Sequence, residues 1–344
     1  MVHVGNKGAA WGLGSEYDVR PFLVLLALAV LFFVWRWRAP LLRSEAGFEF
    51  TSRESFLLFN NILLVVAAAV IFAGTMAPLI SDALGLGTLS VGRQYFDPVF
   101  LLPTLPLLAL AAVGLHSGWK RGRVSDRRAA ILWTLLAAVL VTLLLVLGVW
   151  EGAKILTPVG FALGVWLILS SLVDPIDRWR RKLTLTPALL GMALAHASLG
   201  VFVVSITAVE TYTRERDLAL AVGEAGQVGE FEYRLTGLSG VEGPNYDALR
   251  GEVVVTEGGK PVGVLYPEKR NYWVQRQVMT EAGIDMQWTR DVFVALGEDL
   301  GAGRWSVRAQ VRPLINYVWF AAVLMALGGI WAACDRRYRR EPRA

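Results

Sequence analysis

Three histidines and one cysteine are the side chains of this 344-residue chain best suited to metal or nucleophilic chemistry. His196 is the most informative, because it lies within the apolar run LLGMALAHASLGVFVV, about 14 Å along a helix that would begin at Pro187. An ionisable side chain at that depth of a membrane is costly when charged, and is by default a functional candidate. We therefore predict that the His196 imidazole is neutral and faces protein.

The neighbours of His196 leave two interpretations open. They are small: Gly191, Ala193, Ala195, Ala197, Ser198 and Gly200. A helix so free of bulk could let a flat macrocycle approach the imidazole. Small residues also permit close packing of membrane helices, with His196 making one interhelical hydrogen bond.

The other histidines and the cysteine carry less information. His116 closes a predicted helix at its cytoplasmic end and is interpreted as an interfacial residue. It cannot share one haem with His196, because axial nitrogens are about 4 Å apart and these residues differ in depth by roughly 14 Å. His3 lies near the start of the chain and by itself indicates little. A single cysteine, Cys334, cannot form an internal disulfide or a CxxCH motif, which excludes a c-type cytochrome.

Further polar residues have simple structural explanations. Asn60 and Asn61 are interpreted as contacts between helices, and Glu151 and Lys154 as a solvated pair. The stretch 266–276 (YPEKRNYWVQR) could bind an anionic or planar partner, although an aromatic strand beside a charged turn explains it equally well. The sequence has no Gly-rich phosphate loop and no ligand cluster at metal spacing, which argues against a kinase or metalloprotease.

Composition indicates a polytopic membrane protein. The chain is 55% hydrophobic and 18% charged, with a mean hydropathy of +0.47, which excludes a soluble enzyme or a disordered chain. Seven apolar stretches are long enough to cross a bilayer. They are 21–37, 56–80, 99–116, 130–150, 158–173, 187–208 and 314–334.

Basic residues predict the orientation, because Lys and Arg in short loops remain cytoplasmic. They are concentrated in loops 38–55, 117–129 and 174–186 and in the tail after residue 334, whereas 81–98 and 151–157 hold one each. The amino terminus and segment 209–313 are therefore predicted to be extracytoplasmic. Segment 209–313 carries 12 basic and 16 acidic residues, so the +5 of the chain arises elsewhere and does not indicate nucleic-acid binding.

Segment 209–313 changes from helical runs to period-two patterns typical of strands. Residues 251–257 and 260–266 flank Gly258-Gly259 and predict a hairpin, and further strands are expected at 231–236, 291–297 and 304–311. Five short strands favour a small barrel or sandwich. The predicted fold class is thus a polytopic α-helical membrane protein with an inserted small all-β extracytoplasmic domain.

The predicted domains follow from these segments. They are an extracytoplasmic segment 1–20, a six-helix membrane domain 21–208, a β domain 209–313, a seventh helix 314–334 and a basic cytoplasmic tail 335–344. A chain that starts outside without a signal peptide is expected to be the later half of a longer protein, or a subunit whose partner supplies the earlier helices.

Several stretches of the chain resemble CcmF, the haem lyase family of cytochrome c maturation system I. They are 52–80 (SRESFLLFNNILLVVAAAVIFAGTMAPLI), 189–205 (LLGMALAHASLGVFVVS), 243–251 (GPNYDALRG), 265–285 (LYPEKRNYWVQRQVMTEAGID) and 289–298 (TRDVFVALGE). The likeness runs in the same order from about residue 35 to the end of the chain.

This resemblance implies a site, a cofactor and partners. The family attaches haem to the CxxCH thiols of apocytochrome c outside the bacterial inner membrane, receives haem from the chaperone CcmE and works with CcmH. A b-type haem is held between one transmembrane histidine from each half, and His196 corresponds to the second. The iron's other ligand would then come from the missing half or another chain. His3 lies near the place of a second external histidine that holds incoming haem, although residues 1–20 match poorly.

The resemblance also shows what this sequence lacks. The tryptophan-rich WWD motif of the family is absent, so we expect no lyase activity without the amino-terminal half. The leading hypothesis is a haem-lyase subunit that positions haem for thioether formation, with a membrane b-haem as reductant. The alternatives are a non-catalytic scaffold that docks partners through the β domain, and a permease component, which polar residues at mid-depth of several helices would indicate.

Overall fold

The structure, a computed structural model, describes residues 36–37, 50–87, 89–118, 127–148, 154–274 and 276–335. Within them, six helices are long and apolar enough to cross a membrane. They are α1 (Arg53–Ala83), α2 (Arg93–Gly114), α3 (Arg128–Gly148), α4 (Thr157–Arg180), α5 (Pro187–Tyr212) and α6 (Ile315–Ala333). With the β domain inserted between α5 and α6, they confirm the predicted class of helical membrane protein. Segment 1–20, most of the predicted helix 21–37 and residues 336–344 lie outside the described residues.

The fourth described helix is longer than predicted. The apolar stretch that predicts this helix ends at residue 173, whereas α4 continues to Arg180. Its last turn carries Arg178 and Arg180, and cations are favourable at a helix carboxyl terminus. The polar end is therefore helical although its composition is not that of a membrane span.

The described chain divides into two compact units. The first contains α1 and α2 as far as Leu110, together with residues 117–118. Within it, the hydroxyl of Tyr95 donates a hydrogen bond to the carbonyl oxygen of Val70 at 2.9 Å. The Tyr95 ring also lies against Gly74, where a side chain would collide with it. Here a glycine allows α1 and α2 to approach closely.

The second unit contains residues 111–116 and everything from Arg127 onward, and in it glycines let α5 pack closely against two helices. A Cβ added at Gly328 of α6 would lie 2.7 Å from the nitrogen of Ala195 and 2.8 Å from the carbonyl oxygen of Gly191. A Cβ added at Gly200 would lie 2.6 Å from the carbonyl oxygen of Gly164 in α4. Small residues at such contacts are typical of membrane helix pairs.

The carboxylate of Asp335 joins the end of α6 to the beginning of α5. It accepts a hydrogen bond from the backbone N–H of Ala188 at 3.0 Å. The hydroxyl of Thr186 caps the same helix, accepting from the N–H of Leu189 at 3.3 Å. A negative charge is favourable at a helix amino terminus. The start of α5 and the end of α6 therefore lie on the same side of the membrane.

Ten strands follow α5 and form two sheets. The strands are β1 (Arg214–Ala221), β2 (Ala225–Val228), β3 (Phe231–Glu242), β4 (Tyr246–Glu257), β5 (Lys260–Leu265), β6 (Glu268–Tyr272), β7 (Gln277–Glu281), β8 (Gly283–Met286), β9 (Arg290–Gly301) and β10 (Arg304–Pro313). One sheet has the order β1-β10-β9-β8 and the other β2-β3-β4-β6-β7, with β5 paired to β4. The five predicted strands are therefore half of those that the described residues form.

Alternating apolar residues of both sheets form one core. Tyr233 and Val253 from one sheet and Val294 and Val307 from the other are fully buried, which is the arrangement of a β-sandwich. The predicted hairpin is present as β4 and β5, with Glu257 opposite Lys260. Gly258 and Gly259 between them have φ of +54° and +81°, as a two-residue hairpin turn requires.

Candidate functional site

His196 lies in the middle of α5. The helix begins at Pro187 and ends at Tyr212, so His196 is about 14 Å from its start, as the sequence indicates. The side chain is half-buried. The residues three or four positions away on the same flank of α5 are Met192, Ala193, Leu199 and Gly200. The imidazole is therefore placed in apolar surroundings.

A hydrogen bond to the helix backbone holds the His196 ring. Its Nδ1 lies 2.9 Å from the carbonyl oxygen of Met192. Since a carbonyl oxygen can only accept, Nδ1 must carry the proton, and in the neutral imidazole Nε2 then has a free lone pair. Metal-ligating histidines almost always donate their other ring N–H in this way. The hydrogen bond is thus within α5, not between helices as the packing interpretation expected.

The small neighbours of His196 serve helix packing. Gly191 and Ala195 contact α6, and Gly200 contacts α4. Space next to these residues is therefore filled by other helices, as the alternative interpretation held.

His116 follows the end of α2 and is 6% exposed. Its Nε2 has no hydrogen-bond partner among the described residues. With so little exposed surface, the His116 side chain is more buried than an interfacial histidine is expected to be. The same unit also contains an ion pair between Arg127 and Asp174, whose charged atoms are 3.4 Å apart. His3 lies outside the described residues.

Lys154 hydrogen-bonds to the end of α5, and its pairing with Glu151 stays a prediction. Its Nζ donates a hydrogen bond to the carbonyl oxygen of Glu210, near the end of α5, at 3.2 Å. Glu151 lies outside the described residues. Thr157 and Thr211 hydrogen-bond at 2.9 Å in the same region, so the start of α4 is joined to the end of α5. Lys154 therefore has a structural contact at this helix junction.

Three charged residues in 266–276 form ion pairs within the β domain: Glu268, Lys269 and Arg270. Glu268 accepts hydrogen bonds from the Nε atoms of Arg250 at 2.7 Å and Arg270 at 2.8 Å. Burial by itself would raise the pKa of Glu268, but the bonds from the two arginines outweigh it and hold the pKa below its ordinary value of 4.5. Arg270 also lies 4.6 Å from the centre of the Tyr246 ring. These contacts favour the structural explanation of this stretch over an anion site.

The chain is similar to known proteins over nearly all of its length. A family model described as the CcmF C-terminal beta-sandwich matches residues 211–313. The chain is 41% identical over 357 residues to the cytochrome c-type biogenesis protein CcmF of Pseudomonas fluorescens, covering 98% of this chain and 52% of that protein. It is 34% identical over 304 residues to CcmF of Escherichia coli K12, covering 88% of this chain and 47% of that protein.

A solved structure shares the fold. The structure described as cytochrome c heme lyase CcmF superposes with a TM-score of 0.67 at 20% identity, over 83% of this chain and 46% of that one. The chain therefore spans about half the length of the curated relatives it matches.

Proposed function

Since the chain belongs to the CcmF family of cytochrome c-type biogenesis proteins, we propose that it is the later part of a haem lyase and works in cytochrome c maturation. It would position haem for thioether attachment to the CxxCH thiols of apocytochrome c. Because it spans about half of its relatives, the activity belongs to its assembly with the amino-terminal half.

The hydrogen bond between His196 and Met192 carries this proposal. The backbone carbonyl fixes the tautomer and orientation of the imidazole, so that Nε2 presents a lone pair inside the membrane. A neutral histidine with a free ring nitrogen would be able to bind haem iron. The second ligand would come from the other half of the protein. A b-type haem held there would supply a redox centre able to keep the iron of the substrate haem reduced.

The β domain supports a role at the membrane surface. Its first strand begins two residues after α5, and its last strand ends two residues before α6. Both ends are therefore fixed within a few ångströms of the bilayer. Such a domain can hold soluble partners close to a membrane-bound cofactor, and apocytochrome c, the haem chaperone CcmE and CcmH are the partners proposed.

Basic residues support the proposed orientation in the bacterial inner membrane. Two arginines, Arg178 and Arg180, lie in the last turn of α4, and Arg181 follows it. They precede α5 on the side where α6 ends. The tail adds five arginines after Asp335. By the positive-inside rule this side is cytoplasmic, and the β domain is then periplasmic. The amino terminus is proposed to be periplasmic on the same rule.

A scaffold function is favoured by one observation. Strand β7 is an edge of the larger sheet, and its residues Val278 and Met279 are both exposed. An exposed edge with apolar side chains can pair with another chain. A non-catalytic subunit could therefore dock partners through this strand without using His196.

Coexpression with an amino-terminal half of CcmF tests the proposal. The purified complex is reduced for absorption spectra, and covalent haem in a coexpressed cytochrome c is measured. We expect a b-type haem signal and matured cytochrome from the unchanged chain, and neither from His196→Ala. Ser198→Ala is the control, because the Ser198 hydroxyl donates only to Leu194 within α5 and points away from His196.

The two outcomes that oppose the proposal differ. A b-type haem signal that survives His196→Ala would show that another residue is the ligand. Equal maturation with and without His196 would favour the scaffold.

A further inference from the structure

The turn between β8 and β9 exposes large apolar side chains next to a membrane helix. Met286 and Trp288 at this turn have 72% and 67% of their surfaces exposed. A contiguous patch of exposed apolar side chains on a protein surface commonly marks a site that binds a partner or a membrane. Residues Met286, Gln287 and Trp288 are called the hairpin tip below.

Hydrogen bonds fix the hairpin tip to the start of α6. The backbone N–H of Leu314 donates to the carbonyl oxygen of Thr289 at 3.0 Å. The side-chain amide of Asn316 donates to the carbonyl oxygen of Gln287 at 2.9 Å and to the carboxylate of Asp291 at 2.6 Å. The tip therefore cannot move independently of the first turn of α6.

Ring contacts continue the attachment further along α6. The ring centre of Trp288 lies 6.2 Å from that of Tyr317 and 6.4 Å from that of Phe320. Trp319 on the same turn is 70% exposed. Four aromatic rings thus lie at one level of the molecule, and aromatic residues are enriched where a membrane protein crosses the interface between water and lipid.

The length of α6 fixes the depth of this level. Its 19 residues, Ile315–Ala333, are about 28 Å long, close to the roughly 30 Å thickness of the hydrocarbon core. Ile315 must then lie at the boundary of the hydrocarbon, with Phe320 about 7 Å deeper along the helix. Trp288, in contact with Tyr317 and Phe320, is therefore at lipid depth although it belongs to the β domain.

A cleft lies between the hairpin tip and α6. It has a volume of about 320 Å³ and is lined by Met286, Gln287, Trp288, Asn316 and Phe320. Its apolar lining suits an acyl chain. The side-chain amide of Gln287 donates one N–H to Asp285 at 2.9 Å, and its second N–H can donate to an ester or phosphate oxygen. This combination of chemistry is that of one phospholipid at the edge of a leaflet.

We propose that the hairpin tip is a lipid-binding surface that inserts into the leaflet next to the β domain, with a phospholipid of that leaflet in the cleft. It gives the β domain a third attachment to the membrane besides its two covalent connections. The β-sandwich is then held at a fixed height and tilt above the bilayer. This inference rests on the membrane-spanning helices and not on haem binding.

Site-directed fluorescence in lipid nanodiscs tests the proposal with the full chain. Trp288→Cys in a Cys334→Ser background is labelled with an environment-sensitive dye. Quenching is then measured with spin-labelled phospholipids and with aqueous iodide. We expect strong quenching by a lipid labelled near the headgroup and several-fold weaker quenching by iodide than at the control position.

Val274→Cys in the same background is the control. Val274 is 85% exposed and follows Tyr272, which pairs with Tyr246 at the start of β4. The other end of β4, Glu257, forms an ion pair with Arg290 beside the hairpin tip at 2.7 Å. Eleven residues of strand separate these ends by about 36 Å. A dye at position 274 should respond to iodide and not to lipid.

Met286→Cys provides a second position, because replacing Trp288 removes ring contacts that could matter for folding. Lipid quenching and iodide protection at both 286 and 288 would support the proposal. Dyes at both positions that respond to iodide as at 274 would overturn it. Protection from iodide without quenching by lipid would also overturn it, because a protein segment would then cover the surface.

Discussion

The Nδ1–H of His196 donates to the carbonyl oxygen of Met192, one turn earlier in the same helix, at 2.9 Å. The orientation of the imidazole is therefore set by α5 itself and needs no partner from another helix. Only Nε2 is left to bind something outside α5. The ligand geometry would then exist before the other half of the protein assembles.

Imidazole should rescue a His196→Gly variant. The substitution removes the proposed ligand and leaves a space of similar shape, so the complex with the amino-terminal half should lose its b-type haem spectrum. Added imidazole should restore much of that spectrum, because a free imidazole can occupy the space and bind iron. The measurement is a titration of the reduced complex with imidazole.

His116→Gln is the comparison, since His116 is buried outside the proposed site. It should keep the haem spectrum without imidazole. Loss of haem in both variants, with no recovery on addition of imidazole, would show that His196 is needed for folding and not as a ligand.

The helices could be predicted because a membrane requires a length and a composition that the sequence displays directly. The end of α4 could not be predicted in this way, because its last residues are polar. Arginines in its last turn interact favourably with the helix dipole, which hydropathy does not reveal. Strands such as β7 were missed for a related reason. All but one of the residues in QVMTE are exposed, so no alternation of buried and exposed side chains marks it as a strand.

The depth of His196 could be predicted from its distance to Pro187, but its hydrogen bond could not. A buried imidazole can bond to its own helix or to a neighbour, and the choice depends on which helices pack on each face. The same holds for Gly191 and Gly200, which face α6 and α4 respectively. Sequence spacing places both glycines on α5 but does not identify the helix that each one contacts.

Gly328→Ala should destabilise the pair of α5 and α6. The new Cβ would lie 2.7 Å from the nitrogen of Ala195 and 2.8 Å from the carbonyl oxygen of Gly191, and neither backbone atom can move without shifting a helix. We expect a lower midpoint of thermal unfolding in detergent, measured by circular dichroism at a helical wavelength.

Gly329→Ala is a matched control, because the neighbouring glycine has nothing within 4 Å of its added Cβ. Alanine is favoured over glycine within a helix by about 1 kcal/mol, so this variant should be unchanged or slightly more stable. If both variants shifted the midpoint equally, close packing at Gly328 would not be the cause.

Acid should weaken the β domain through Glu268. The pKa of this carboxyl is lower in the folded chain than its ordinary value of 4.5, so its ionised form stabilises the fold above that pH. As pH falls below 4.5 towards the folded pKa, the stabilisation is lost. At pH 7, Glu268→Gln should lower the free energy of unfolding by about 1–3 kcal/mol, measured by hydrogen exchange in β4 and β6.

Glu298→Gln is the comparison for Glu268. The Glu298 side chain is 83% exposed and pairs with Lys269 at 2.7 Å, and exposed ion pairs contribute about 0–1 kcal/mol. The difference between Glu268→Gln and the unchanged chain should also shrink as pH falls. A difference that stayed constant from pH 7 to 3 would contradict the role given to the ionised carboxylate.

Labelling of single cysteines should separate the two sides of the membrane. The hydrogen bond between Asp335 and Ala188 places Cys334 on the same side as the basic turn after α4. This side is predicted to be cytoplasmic by the positive-inside rule.

In intact spheroplasts, a membrane-impermeant maleimide should therefore label Val274→Cys in a Cys334→Ser background, because the β domain is exposed to the medium. Native Cys334, and Thr184→Cys in the same Cys334→Ser background, should react only after permeabilisation, since Thr184 lies exposed between α4 and α5. Labelling of position 184 in intact spheroplasts would reverse the proposed orientation, and the β domain would then be cytoplasmic and out of reach of a periplasmic apocytochrome.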